Sequence, residues 1–249
     1  MSIADKLTRA KQDIDDVYEA GKKSEYDRFW DAYQQNGKRT SYAYAFAGYG
    51  WSLENFKPKY DMKPTVGAKY MFATMPNMEG IDLEQLFEDL GVSLDTSAIT
   101  SVDGFDYFIQ YASPSVIPTI STVSTTKIRN MFFHASKLVT IRKLILRDDG
   151  SQEFTTPFPN CKNLENLVIE GTIGQKGFDI SGSPKLSKAS ITSIINALSS
   201  TTRGLSISLS KEAVNTAFGI NVDDTTTYPS GSEYYTLRHS KDNWTINYI

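Results

Sequence analysis

Few residues of this chain are suited to chemistry, and none falls into a recognised catalytic spacing. There is one cysteine, Cys161, and there are two histidines, His134 and His239. A lone cysteine rules out an intrachain disulfide. The histidines are far apart, and no His-x-x-x-His or Cys-x-x-Cys spacing offers a zinc site. Acidic pairs occur at Asp15-Asp16, Asp148-Asp149 and Asp223-Asp224. None has the alternating oxygens and central Gly of a calcium loop, so they read as solvated loop charge. The segment from Gly171 to Gly177 has glycines at 171, 174 and 177 and Lys176. It lacks the Gly-Lys-Ser/Thr ending and the spacing of a phosphate loop, and reads as a glycine-rich turn between repeats. No Gly-x-Ser-x-Gly elbow is present. A glycosidase needs two carboxylates at a set separation, which spacing in sequence does not reveal. The acids here form no cluster, so the expectation is a non-enzyme with no cofactor and no metal. A glycan-degrading enzyme is the alternative.

Composition narrows the class further. The 249 residues are 40% hydrophobic and 22% charged, with a formal net charge of −3. That is enough chain for a packed core. No basic field points to nucleic acid. No run of 18 apolar residues predicts a membrane span. The N-terminus, MSIADKLTRAKQDIDD, has no apolar core of a secretory signal, so synthesis in a cytosol is expected, with release in a particle after lysis as one route out.

These residues must be positioned by the elements that the pattern predicts. Ser2 can cap a first helix, in which Ile3, Leu7, Ala10, Ile14 and Val17 recur at coiled-coil spacing. The seam lasts little more than two heptads. It suits a helix lying on its own chain, or a helix for self-association or docking through Ile3, Leu7, Ile14 and Val17. A second helix carries Tyr26, Phe29, Trp30 and Tyr33 on one stripe and ends near Gly37. In SYAYAFA, Tyr42, Tyr44 and Phe46 alternate with alanines, which predicts a strand.

A repeat follows. Phe132, Ala135, Leu138, Ile141 and Leu144 align without gaps with Phe158, Cys161, Leu164 and Leu167. Phe72, Met75, Met78 and Ile81 form an earlier copy, and looser copies surround Phe108–Ile120 and Phe178–Ile191. The aliphatic positions Met78, Val116, Leu138, Leu164 and Leu186 lie 38, 22, 26 and 22 residues apart. All but the first spacing fit leucine-rich repeats, and LEQLFEDLGVSLDTS reads as a helical insertion in that first gap. Cys161 shares a slot with Ala135 and Met75, so it reads as a buried packing residue. Asp149-Gly150 between apolar runs predicts a hairpin. Past Leu186, a Ser187-capped helix, a strand with Leu205, Ile207 and Leu209, a Ser210-capped helix and a last strand with Trp244, Ile246 and Tyr248 read as an α/β cap.

The Phe-x-x-Cys-x-x-Leu-x-x-Leu unit resembles the BspA-like leucine-rich repeats of Firmicutes and their phages. The closing segments LSKASITSIINAL, GLSISLS and DNWTINYI are similar to the caps of such proteins. The stretch YDRFWDAYQQNGKRTSYAYAFAGYGW is similar to segments that precede the repeats in prophage-encoded proteins. The resemblance implies an α/β leucine-rich-repeat solenoid with N-terminal helices and an α/β C-terminal cap. Its divisions are a docking region at 1–65, the solenoid at 66–209 and the cap at 210–249. It implies a tail- or baseplate-associated virion protein, structural or host-binding, with a bacterial cell-surface adhesin as the alternative. The missing signal sequence favours the virion. Partners would be other virion proteins or a second copy through the N-terminal helices, and a host surface glycan or protein. Tyr49, Trp51, Tyr228, Tyr234 and Tyr235 are candidate ligand-facing aromatics, because such rings pack on apolar ligand faces. For Tyr49 and Trp51 the competing reading is core burial.

Overall fold

The computed structural model describes residues 6, 8, 9, 11, 12, 25–34, 37–47, 56–75 and 78–249. Of the first predicted helix, residues 6, 8, 9, 11 and 12 are helical and exposed. The seam residues Ile3, Leu7, Ile14 and Val17 lie outside the described residues, as do Tyr49 and Trp51. Helix α1 spans Glu25–Gln34 and buries Trp30, which packs edge-on to Phe56 and against Phe46. Helix α2, Leu83–Leu90, is the predicted insertion. Asp82 caps its start by accepting from the Gln85 amide at 3.0 Å, and Gly91 ends it at φ +64°.

The central sheet is parallel. Strand β4 (Thr140–Ile145) pairs on one side with β1 (Val116–Ile117) and β2 (Ile120–Ser121), and on the other with β6 (Asn166–Glu170). In β6, Leu167 and Ile169 face the core two residues apart, as a regular strand requires. In β4 the buried Ile141 and Leu144 are three apart, so the β4–β6 register shifts between them, which keeps both pairs inward. A second sheet pairs β3 (Lys127–Arg129) with β5 (Glu153–Thr155), and a third pairs β7 (Leu205–Leu209) with β8 (Trp244–Tyr248). Helices α4 (Lys211–Phe218) and α5 (Glu233–His239) lie between β7 and β8 in sequence, in the crossover that a parallel pair demands. The N-cap serines Ser187 and Ser210 and both strands stand where the pattern placed them.

The expected leucine-rich-repeat solenoid is corrected by this arrangement. The described residues form a mixed α/β fold of five α-helices and short strands, two to six residues long, in three small parallel sheets. A leucine-rich repeat needs one unit at a near-constant period. Here parallel partners lie 24 residues apart at Val116 and Thr140, 26 at Thr140 and Asn166, 34 at Asp82 and Val116, and 39 at Leu205 and Trp244. After β6 a helix, α3 (Lys188–Ala197), takes the place of a further strand. Its Ser190 and Ser193 hydroxyls accept from the Leu167 and Ile169 amides at 2.9 and 2.8 Å. They satisfy donors that a free strand edge would leave open.

Three finer expectations also change. Val116 pairs with Thr140, so it does not share a position with Leu138. Asp149-Gly150 closes no hairpin: β5 pairs in parallel with β3, not with β4. The segment at 41–47 is a run of turns, with Tyr42 and Phe46 buried and Tyr44 exposed. The aligned aromatic and aliphatic positions are nonetheless core. Phe72, Phe132, Phe158, Leu138, Leu164 and Cys161 are all buried in one continuous cluster.

Candidate binding surface

The turns build the most distinctive surface of the molecule. In each of four segments, alternate amides donate to the next segment, while those between fold back on their own chain. Tyr44 N donates to Lys69 O at 2.9 Å and Phe46 N to Met71 O at 2.9 Å, whereas Ala45 N returns to Tyr42 O at 3.0 Å. Tyr70 N donates to Asp106 O, Tyr107 N to Arg129 O, and Asn130 N to Thr155 O, each at 3.0 to 3.1 Å. Left-handed residues recur in these four segments and in a fifth, at 156–160. Tyr44, Tyr70, Tyr107, Asn130 and Thr156 form one such row, at φ between +40° and +56°. Thr74, Tyr111, His134 and Asn160 form a second row four residues further on, at φ +55° to +61°. Left-handed backbone costs a non-glycine residue about 1–2 kcal/mol. The inter-segment hydrogen bonds and ring packing offset it.

The first row is a tyrosine stack. The Tyr44 and Tyr70 rings lie 4.7 Å apart at 13°, and Tyr70 and Tyr107 lie 4.8 Å apart at 10°. This is the spacing of parallel backbone neighbours. Both faces of Tyr70 are therefore covered by rings, so the stack offers edges and hydroxyls. Tyr44 is 60% exposed. In the second row, Tyr111 is 52% exposed and stacks on His134 at 5.1 Å, while Phe133 packs edge-on to Tyr111 at 5.4 Å. The Asn160 side-chain amide meets the His134 ring at 3.1 Å. A cleft of about 360 Å³ opens beside Tyr111 and His134, with Glu79, Ser113 and Ser136 on its walls.

A charged row borders the tyrosines, one residue earlier in each segment. Lys69, Asp106 and Arg129 alternate in sign along it. The Arg129 guanidinium donates to Asp106 Oδ2 through Nε at 2.9 Å and through Nη2. Lys69 Nζ lies 3.9 Å from the same oxygen and 2.8 Å from Asp103. Asp106 is fully buried, and its Oδ1 has no hydrogen-bond partner among the described residues. The hydrogen bond from Lys69 holds the Asp103 carboxyl below the usual carboxylate range, and Asp103 raises Lys69 in return. Burial, and then the phenols of Tyr107 and Tyr44, push the Tyr70 phenol up.

Several residues that the sequence offered for chemistry are engaged in packing, turns or ion pairs. Cys161 is buried, its Sγ donates to Phe132 O at 3.2 Å, and burial pushes its thiol up to about 12. The thiolate that a nucleophile needs is suppressed there. Asp149 binds Arg147 and Ser151, Asp223 pairs with Lys211, and Asp224 caps a 3-10 turn at Thr225–Thr227. Gly171 and Gly177 (φ +94° and +93°) lie against neighbouring backbone: a Cβ would fall 2.8 Å from the Leu146 carbonyl carbon and 2.9 Å from that of Phe154. Their glycines serve close packing of parallel segments. Among the described residues, no group of three His, Cys, Asp or Glu side chains could hold a metal ion. Among them, no helix is long and apolar enough to cross a membrane.

Of the candidate ligand-facing aromatics, Tyr228 and Tyr235 are half-buried and line a cleft, whereas Tyr234 is buried with its hydroxyl on that of Tyr248. The tyrosine row itself was missed. Its signal is an aromatic or polar residue two before a core position, as in Tyr44-x-Phe46, Tyr70-x-Phe72, Tyr107-x-Ile109 and Asn130-x-Phe132. No family model, no curated protein and no solved structure matches the chain.

Proposed function

We propose that this chain is a binding protein, not a catalyst, and that it holds a polyhydroxylated host-surface glycan along the row of Tyr44, Tyr70 and Tyr107. The stack of phenols at 4.7–4.8 Å spacing carries the reading. Bases stack on free ring faces, and the faces of Tyr70 are occupied by its neighbours. A neutral or weakly acidic glycan instead meets hydroxyl edges with hydrogen bonds, and the bordering Lys69, Asp103 and Asn130 supply further partners. The setting proposed is a phage or prophage virion, as a tail-associated host-binding component. That part rests on the similarity of residues 26–51 to segments of prophage-encoded proteins. The test is binding of the full chain to immobilised cell-wall and capsular polysaccharides, together with mass spectrometry of purified particles. Saturable glycan binding and presence in virions are expected. Absence of any glycan binding overturns the reading. Presence in cell-wall fractions with absence from particles overturns the virion setting alone, in favour of a cell-surface adhesin.

A further inference from the structure

A second site lies in the C-terminal part of the chain and shares no residue with the tyrosine row. Between the 3-10 turn, helix α5 and strand β8 is a cleft of about 510 Å³, within the size range of small-molecule sites. Tyr228, Tyr235 and Tyr248 give it aromatic walls, and Thr225 and Ser230 place hydroxyls at its rim. The Tyr235 ring is held by stacking on His239, at a centroid distance of 3.8 Å and 20°. His239 is in turn fixed by a hydrogen bond between Nδ1 and the Tyr235 carbonyl at 2.8 Å.

Arg238 lines the same cleft. Its Nη1 is shielded from solvent and makes no hydrogen bond among the described residues, and the guanidinium meets the Tyr248 side chain on the cleft wall. The acid facing it, Asp242, is two-thirds exposed and stands 3.9 Å away, beyond hydrogen-bond reach. A guanidinium has five donors and no acceptor, so donors other than the shielded Nη1 are left to meet a ligand. Its planar fork matches a carboxylate. Arg238 carries the one permanent positive charge among the lining residues, which suits a single carboxylate.

We propose that this cleft binds a monosaccharide-sized carboxylate, an acidic sugar whose carboxylate is taken by Arg238 and whose ring lies between Tyr228 and Tyr235. The test is calorimetric titration of the full chain with D-glucuronic acid, D-glucose and inorganic phosphate, on the wild type, Arg238→Gln and Ser230→Trp. Ser230 is exposed on the rim, so the tryptophan blocks the cleft without touching the core. Glucuronate is expected to bind at least tenfold more tightly than glucose or phosphate, and each substitution to weaken it at least tenfold. Equal affinity for glucose and glucuronate, tighter binding of phosphate, or no glucuronate binding at millimolar concentration overturns the proposal. If Arg238→Gln does not fold, Ser230→Trp decides: glucuronate binding retained in that variant overturns it.

Discussion

Substituting Gly177 by alanine tests the close approach of parallel segments on which the fold depends. Gly177 sits at φ +93°, and a Cβ there would collide with the carbonyl group of Phe154 in β5, 2.9 Å from its carbon and closer to its oxygen. Two costs add. The left-handed backbone costs an alanine about 1–2 kcal/mol. Pushing packed backbone aside costs roughly 1–3 kcal/mol more. The total is about 2–5 kcal/mol. Gly219, the C-cap of α4, is the control: it is also left-handed, at φ +64°, but a Cβ there meets nothing within 4 Å. Gly219→Ala should therefore cost only about 1 kcal/mol. The assay is urea denaturation of both variants and the wild type, followed by circular dichroism, with a shared m value as the check on comparability. Equal losses within about 0.5 kcal/mol, a difference typical of surface substitutions, would refute the backbone contact between Gly177 and Phe154.

Two further outcomes follow from the buried groups. The Cys161 thiol, raised to about 12 by burial, should resist alkylation in the native state and react on unfolding in urea. Its folded value lies above the unfolded one, near 9, so its contribution to stability is whole below pH 9 and is lost as pH rises towards 12. Over that window wild type should lose up to about 1.4 kcal/mol per pH unit more than Cys161→Ala, seen in pH-dependent denaturation; parallel curves would contradict the burial. Asp106→Ala removes the acceptor of the Arg129 guanidinium, a carboxylate that Lys69 also faces at 3.9 Å, and should cost about 2 kcal/mol. A double-mutant cycle with Arg129→Ala should show a coupling of about 1 kcal/mol or more; additive losses would mean that the pair contributes nothing.

Much of the core was legible because its positions carry large apolar side chains at aligned spacings. Phe132 with Phe158, and Leu138 with Leu164, read directly as neighbours. Caps at Ser187 and Ser210 were legible because a hydroxyl before an apolar helical run has one main use. The architecture was misread because the spacing of apolar residues reports burial without reporting which backbone partners are made. At Tyr42–Phe46, aromatics at every second residue imitate a strand, but the turns bury Tyr42 and Phe46 and send Tyr44 between them outward. At Ser190 and Ser193 two hydroxyls replace a strand edge, which no hydrophobic pattern records. The tyrosine row escaped notice because Tyr44, Tyr70 and Tyr107, exposed or half-buried and at irregular offsets of 26 and 37 residues, become neighbours only after the segments pair. Tyr228 and Tyr235 were named from their place beside a Gly/Ser-rich loop, a reading that also named the buried Tyr234. Arg238, the charge beside Tyr228 and Tyr235, was not named, because its place in the cleft lining is a property of three dimensions.

The glycan reading is tested most directly by removing three oxygen atoms. Tyr44→Phe, Tyr70→Phe and Tyr107→Phe together preserve the stacked rings and abolish only the row of hydroxyls. Titrating wild type and the triple variant with a polysaccharide that the wild type binds isolates the proposed contact. At about 1 kcal/mol for each hydrogen bond, affinity should fall at least tenfold, with the denaturation midpoint nearly unchanged. Undiminished affinity in the triple variant would contradict the account.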